Sequence, residues 1–131
     1  VSRSYEFLQE CEVFFVLTVD QQQPAGRPFG AVMEVDEKLY FSTATQKAVY
    51  RQLVENAALQ IVALKAGTRE WIRINGKAVE RTDRDIKQQM LEACPVLAKH
   101  FTSPDCLDFA VFEVAEKEAS LNINSVFVKV D

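Results

Sequence analysis

The chain has 131 residues, 48% of them hydrophobic, and its 15 Lys and Arg against 19 Asp and Glu leave a net charge of −4. That length suits one domain, 1–131, around one core, and the acidic balance argues against a broad nucleic-acid surface. Cys11, Cys94 and Cys106, odd in number and widely spaced, make neither a disulfide framework nor a metal knuckle, and His100, the only histidine, cannot alone supply a zinc site or a catalytic triad.

The first predicted element is a short helix over Ser4 to Gln9, with Tyr5 and Leu8 on one side, set against the rest as a lid. Val13 to Asp20, rich in β-branched and aromatic residues, is a largely buried strand. Gln21 to Gly26 reads as a loop by its Pro and Gly, and Arg27 to Val35 as one strand returning in a hairpin. Asp36-Glu37 turns the chain into a third strand, Lys38 to Thr43, with Leu39 and Phe41 on one face. A helix follows, with Thr45 as candidate N-cap, Val49 and Leu53 four apart, and Asn56 at its end.

Ala58 to Leu64 has the length and apolar character of a strand, and Gly67-Thr68 separates it from a strand over Glu70 to Val79, in which Gly76 signals a bulge. Thr82 with Asp85 resembles a capping box for a helix striped by Ile86 and Met90 that stops before Pro95. One more helical turn is predicted over Val96 to Phe101 and a loop over Thr102 to Asp105. Leu107 to Val114, Ala119 to Ile123 and Val126 to Val130 read as three closing strands, parted by Glu116-Lys117-Glu118 and by Asn124-Ser125. The order of elements predicts a mainly β, mostly antiparallel barrel with helical insertions. No apolar run reaches the roughly 20 residues that span a bilayer, and Val1 to Tyr5 lack the apolar centre of a signal peptide, so a cytoplasmic protein is expected.

Two segments carry chemistry. Lys38 to Lys47 runs from a strand into a helix start, where hydroxyls, free N–H groups and a lysine meet; a lysine there is unfavourable unless an anion joins it, although a solvated Lys47 fits equally well. In Arg27-Pro28-Phe29-Gly30, Pro28 donates no ladder bond and Gly30 has no side chain, so the backbone can approach a flat group, while Arg27 offers a fork suited to phosphate or simply an exposed edge. Trp71, Arg73 and Asn75 alternate on one face of a strand, which is a pocket wall, a dimer surface or plain packing.

The succession RPFGAVMEVDEKLYFSTATQKAVYRQL, then REWIRINGKAVE, resembles the pyridoxamine 5'-phosphate oxidase-like family of FMN-binding split β-barrels, including its short general stress protein branch. The resemblance implies FMN contacts from Arg27 and from Pro28, Phe29, Gly30, Ala31 and Val32. It implies phosphate binding by Ser42, Thr43 and Lys47, with Gln46 where the family often has a second basic residue. Trp71 matches a residue that reaches the flavin across a dimer, and Arg27 or Arg73, if either lies beside the ring, would tune the flavin's potential. A homodimer with flavin at the interface follows by resemblance alone. The chain lacks the carboxy-terminal arginine and histidine segment that holds the pyridoxal substrate in the true oxidases, so pyridoxamine phosphate oxidation is not expected.

The expected function is that of an FMN-dependent oxidoreductase acting on an unidentified small molecule, with NADH or NADPH docking transiently as donor. No acid, base, nucleophile or metal ligand is nominated. The alternative is a flavin-binding module, a carrier, buffer or redox and stress sensor, without turnover. Haem or deazaflavin ranks below these, because haem needs an axial ligand and His100 lies far in sequence from both segments.

Overall fold

The computed structural model describes all 131 residues. Its elements are α1 (Arg3–Cys11), β1 (Phe14–Asp20), β2 (Gln23–Phe29), β3 (Val32–Val35), β4 (Lys38–Ala44), α2 (Ala48–Glu55), β5 (Ala58–Leu64), β6 (Trp71–Arg81), α3 (Arg84–Ala93), a 3-10 turn (Pro95–Lys99), β7 (Phe109–Ile123) and β8 (Val126–Val130). The strands make one eight-stranded sheet in the order β2-β1-β5-β6-β7-β4-β3, with β8 paired to β7. Every pairing is antiparallel.

β2 and β3 are the two edges of that order, yet only Gly30 and Ala31 separate them in the chain. The sheet therefore curls until its edges meet, and at that seam no ladder joins them. This is a split barrel, the fold class expected from the sequence.

Several expectations change in detail. The loop over Gln21 to Gly26 shrinks to the two-residue turn Gln21-Gln22, because β2 already begins at Gln23. Pro24 and Gly26 sit inside that strand, which an edge position tolerates since a missing N–H there costs no ladder bond on the open side. The single strand over Arg27 to Val35 is two strands, broken at the seam. Glu116-Lys117-Glu118 is no turn: β7 is one strand of 15 residues. It pairs with β6 along its length, with β4 in its first half and with β8 in its second. Merging two predicted strands and splitting one keeps the expected total.

The bulge at Gly76 is present as a register shift between Asn75 and Lys77. A Cβ on Gly76 would lie 2.6 Å from Val114 Cγ1 and 2.9 Å from the carbonyl oxygen of Ala115, so close approach of β7 excludes a side chain. The hairpins at Asp36-Glu37 and Asn124-Ser125 have both central residues at positive φ, the twist that matches their flanking strands.

Helix starts also differ. Lys47, not Thr45, is the N-cap of α2, and Asp83 rather than Thr82 is that of α3; neither makes a side-chain capping bond. The α1 helix is capped by Ser2, whose hydroxyl accepts from Tyr5 N at 3.2 Å, and its buried face is Ser4, Phe7 and Leu8, with Tyr5 half-buried. Phe7 and Leu8 join the barrel core with Phe14, Phe41, Ile61, Ile74 and Phe112. A second core, built on Met33, Tyr40, Met90, Phe101 and Phe109, lies under α3 and the 3-10 turn.

The two ends of the sequence are tied together. Asp131, its side chain 17% exposed, accepts from Ser4 N at 2.9 Å, Ser4 Oγ at 2.7 Å and Lys117 Nζ at 3.0 Å. Burial works to raise this carboxyl, but the bonds from Ser4 and the charge of Lys117 outweigh it and hold it below its ordinary value. A depressed folded pKa gives stability that is present above the unfolded value of about 4 and is lost as pH falls through the folded one. Thermal melting across pH should therefore show Asp131→Asn less stable than wild type at neutral pH, with the gap closing in acid; a gap independent of pH contradicts this.

No helix is long and apolar enough to cross a membrane. The three cysteines are free, and burial raises Cys11 and Cys94, keeping both as thiols.

Candidate functional site

A cavity of about 460 Å³ opens at the seam between the two edge strands. Pro28, Phe29, Gly30 and Ala31 bound it along the edge, Ser42, Thr43 and Ala44 at the end of β4, and Gln46 and Lys47 at the turn into α2. The two segments singled out from the sequence, separated in the chain by β3 and the first part of β4, thus converge on one hollow. Its volume lies in the range of small-molecule sites, about 300–1,000 Å³.

Each wall has a local cause. Pro28 has no N–H to offer and Gly30 no side chain, which leaves the edge open toward the hollow. β4 ends where Thr45 N bonds the carbonyl of Asp108 at 2.9 Å, and Lys47 N bonds the carbonyl of Ala44 at 3.0 Å, turning the chain tightly into α2. The first turn of α2 contains no acidic residue and its N-cap makes no side-chain bond. Its partial positive charge is therefore not neutralised from within the helix.

Two atoms at this corner stand apart from every other buried side-chain nitrogen and oxygen in the protein. Ser42 Oγ and Thr43 Oγ1 are buried and have no hydrogen-bond partner. A buried hydroxyl left unpaired costs about 1–3 kcal/mol, so two adjacent ones on a cavity wall mark a place where a ligand's acceptors fit. Successive strand residues face opposite ways, so Thr43 shares the core face of Leu39 and Phe41 while Ser42 shares that of Tyr40 and Ala44. A ligand meeting both must lie across the end of β4.

The far wall comes from Leu97, His100 and Phe101 of the 3-10 segment and from Asp108 before β7. His100, distant in sequence, is thus a cavity residue; its ring stands edge-on to Phe101, which stacks on Phe109 at 4.6 Å. Asp108 Oδ2 lies 3.5 Å from Gln46 Nε2. None of these four was expected from the sequence. The one usable signal was the apolar pair Leu97 and Phe101, four apart after Pro95, which marks a short packed turn.

Arg27, Trp71 and Arg73 do not line the cavity, and neither does Val32, which packs against the barrel core. Arg27 reaches across β1 instead: Nη1 donates to the carbonyl of Val16 at 3.1 Å and to Thr18 Oγ1 at 2.8 Å, and Nη2 to Gln52 Oε1 at 2.7 Å. Burial lowers its pKa, with Asp20 acting the other way. Trp71 and Arg73 lie on the outer face of the sheet, the guanidinium 4.9 Å from the Trp71 ring and 5.3 Å from that of Phe127.

That outer face is apolar and open. Phe15 pairs with Val62, Leu64 with Trp71, and Asn122 joins Trp71 to Phe127. Phe15, Leu64 and Phe127 are 48%, 60% and 48% exposed. Phe15 also pairs with Pro28, so this face runs up to the cavity's edge. No group of His, Cys, Asp and Glu side chains is placed to hold a metal ion.

The sequence matches the family described as pyridoxamine 5'-phosphate oxidase over residues 3–122. No match is found among curated proteins. Among solved structures, a NimC/NimA family protein from Clostridium acetobutylicum is 33% identical with a TM-score of 0.90, over 97% of this chain and 89% of the other. General Stress Protein 26 from Bacillus anthracis is 15% identical with a TM-score of 0.77, over 95% and 94%. A pyridoxamine 5'-phosphate oxidase-related, FMN binding protein from Nostoc punctiforme is 15% identical with a TM-score of 0.65, over 90% and 80%. The last two share the fold.

Proposed function

The chain belongs to the pyridoxamine 5'-phosphate oxidase family, and from that premise we propose that it binds FMN in the seam cavity and works as a flavin-dependent oxidoreductase. The observation that carries the reading is the pair of unpartnered buried hydroxyls, Ser42 Oγ and Thr43 Oγ1, on the cavity wall. The donor set fits the cofactor. Ser42 and Thr43 would hold the phosphate with their hydroxyls, Lys47 would add charge, and the uncapped first turn of α2 favours an anion.

Pro28 to Ala31 would lie along the flat ring, while Leu97 and Phe101 would keep water from the far wall. Bound there, the flavin would supply reversible two-electron chemistry, and the protein supplies orientation and electrostatics. Lys47, His100 and Asp108 are the titratable side chains on the wall.

The same reading takes the protein as a homodimer. A second copy on the outer face would cover Phe15, Leu64 and Phe127 and bring its own Trp71 and Arg73 toward the neighbouring cavity, because that face is continuous with Pro28. A cytoplasmic setting fits three free cysteines.

The binding half is tested by following the visible absorbance of FMN during titration with the protein. Lys47→Ala should weaken FMN at least about tenfold, near 1.4 kcal/mol, and leave riboflavin, which has no phosphate, unchanged. Equal FMN affinity in variant and wild type contradicts the assignment. For the redox half, anaerobic reduction with NADH or NADPH is followed by reoxidation with quinones, nitro compounds or oxygen. Turnover with any pair supports the oxidoreductase, and none with every pair leaves a flavin-binding module.

A further inference from the structure

We infer that Arg27 serves the flavin phosphate without touching it, as a positioning residue that fixes α2, and hence Lys47 and the helix start, through Gln52. The inference deepens the FMN reading above and rests on it.

The geometry is that of a tether. Gln52 Oε1 receives Arg27 Nη2 at 2.7 Å and the Thr18 hydroxyl at 2.5 Å, while Arg27 Nη1 is held by Thr18 Oγ1 and the carbonyl of Val16. Gln52 and Thr18 are each 3% exposed, so the bonds are shielded from water. Three donations from the guanidinium are thus committed to β1 and α2, and Arg27 is absent from the cavity wall.

A helix of eight residues has little stability of its own. Its position is set by what anchors it: Val49 and Leu53 in the barrel core, and this buried polar link to the β1–β2 hairpin. Apolar contacts allow sliding, whereas a guanidinium with one nitrogen on the Gln52 carboxamide and the other on β1 fixes distance and direction. The anchored residue lies five positions after Lys47, so releasing it lets the first turn of α2 move relative to Ser42 and Thr43.

The test measures FMN and riboflavin affinities for wild type, Arg27→Ala, Gln52→Leu, the double variant, and Gln52→Glu, with thermal melting of each. Each single change should weaken FMN by about five- to tenfold and riboflavin by less than about twofold, and the double variant should be no weaker than the worse single one. Gln52→Glu keeps an acceptor for Arg27 and should bind FMN within about twofold of wild type.

If Arg27→Ala weakens FMN while Gln52→Leu does not, the guanidinium acts on the phosphate directly and the inference is overturned. Effects that multiply in the double variant, or FMN and riboflavin falling together, overturn it as well. If Gln52→Leu fails to fold, the Glu variant decides: a loss of FMN affinity equal to that of Arg27→Ala contradicts the tether. A wild-type protein that binds no FMN overturns the functional reading itself, and this inference with it.

Discussion

Replacing Ser42 by Ala and Thr43 by Val together is expected to lower FMN affinity about 100-fold or more while leaving the protein at least as stable as before. Neither hydroxyl has a partner within the protein, so the substitutions break no internal bond. Removing an unpaired buried polar atom relieves a cost of about 1–3 kcal/mol, and valine has nearly the shape of threonine. Against that, a hydrogen bond to a charged acceptor is worth about 1.5–3 kcal/mol, so two lost together amount to roughly 3–6 kcal/mol of binding. Thermal melting and absorbance titration separate the effects. Unchanged affinity would mean that the hydroxyls face no ligand; a large fall in stability would mean that they have protein partners after all.

Phe41→Ala is expected to destabilise the fold by about 3–5 kcal/mol. Phe41 is 1% exposed, stacks on Phe112 with centroids 5.7 Å apart and meets Phe29 at 5.6 Å. It lies just before Ser42 on β4, and Phe29 belongs to the cavity edge. The vacated space therefore lies directly behind the site. Since domains of this kind are held by about 5–15 kcal/mol in total, the loss is a large share of the margin. FMN affinity should fall as well, because Phe29 loses the ring that holds it. Denaturant unfolding measures the first effect, and a change below about 1 kcal/mol would show that the barrel refills the space.

Much of the fold is legible in the sequence. Strands β1, β4, β5, β6 and β8 follow from β-branched and aromatic runs between turn residues, and Ile86 with Met90 marks the buried face of α3. The misreadings share a cause: local chemistry was overruled by position in the sheet. Pro24 and Gly26 break a central strand but not an edge, and which strand forms the edge is a property of the whole order. Glu116 to Glu118 look like a turn because charge clusters there, yet β7 runs through them, with Glu116 and Glu118 exposed and Lys117 on the other face held by Asp131.

The cavity shows the same division. Ser42, Thr43 and Lys47 carry a local signature, a strand end meeting a helix start, and so does the Pro-Gly edge at Pro28 to Ala31. Leu97, His100, Phe101 and Asp108 carry none, because their role comes from where the 3-10 segment packs. The bond from Arg27 to Gln52 depends on which side of α2 faces the hairpin. Val49 and Leu53, four apart, mark the apolar side of α2, but nothing local shows that Gln52 beside them meets a guanidinium from β2.

A crystal structure of the protein loaded with FMN tests the central claim most directly. The account predicts the phosphate at the junction of β4 and α2, within hydrogen-bond reach of Lys47 and at least one of the Ser42 and Thr43 hydroxyls. A phosphate bound elsewhere, for instance in the polar hollow lined by Arg69, Asn122 and Asn124, would contradict it.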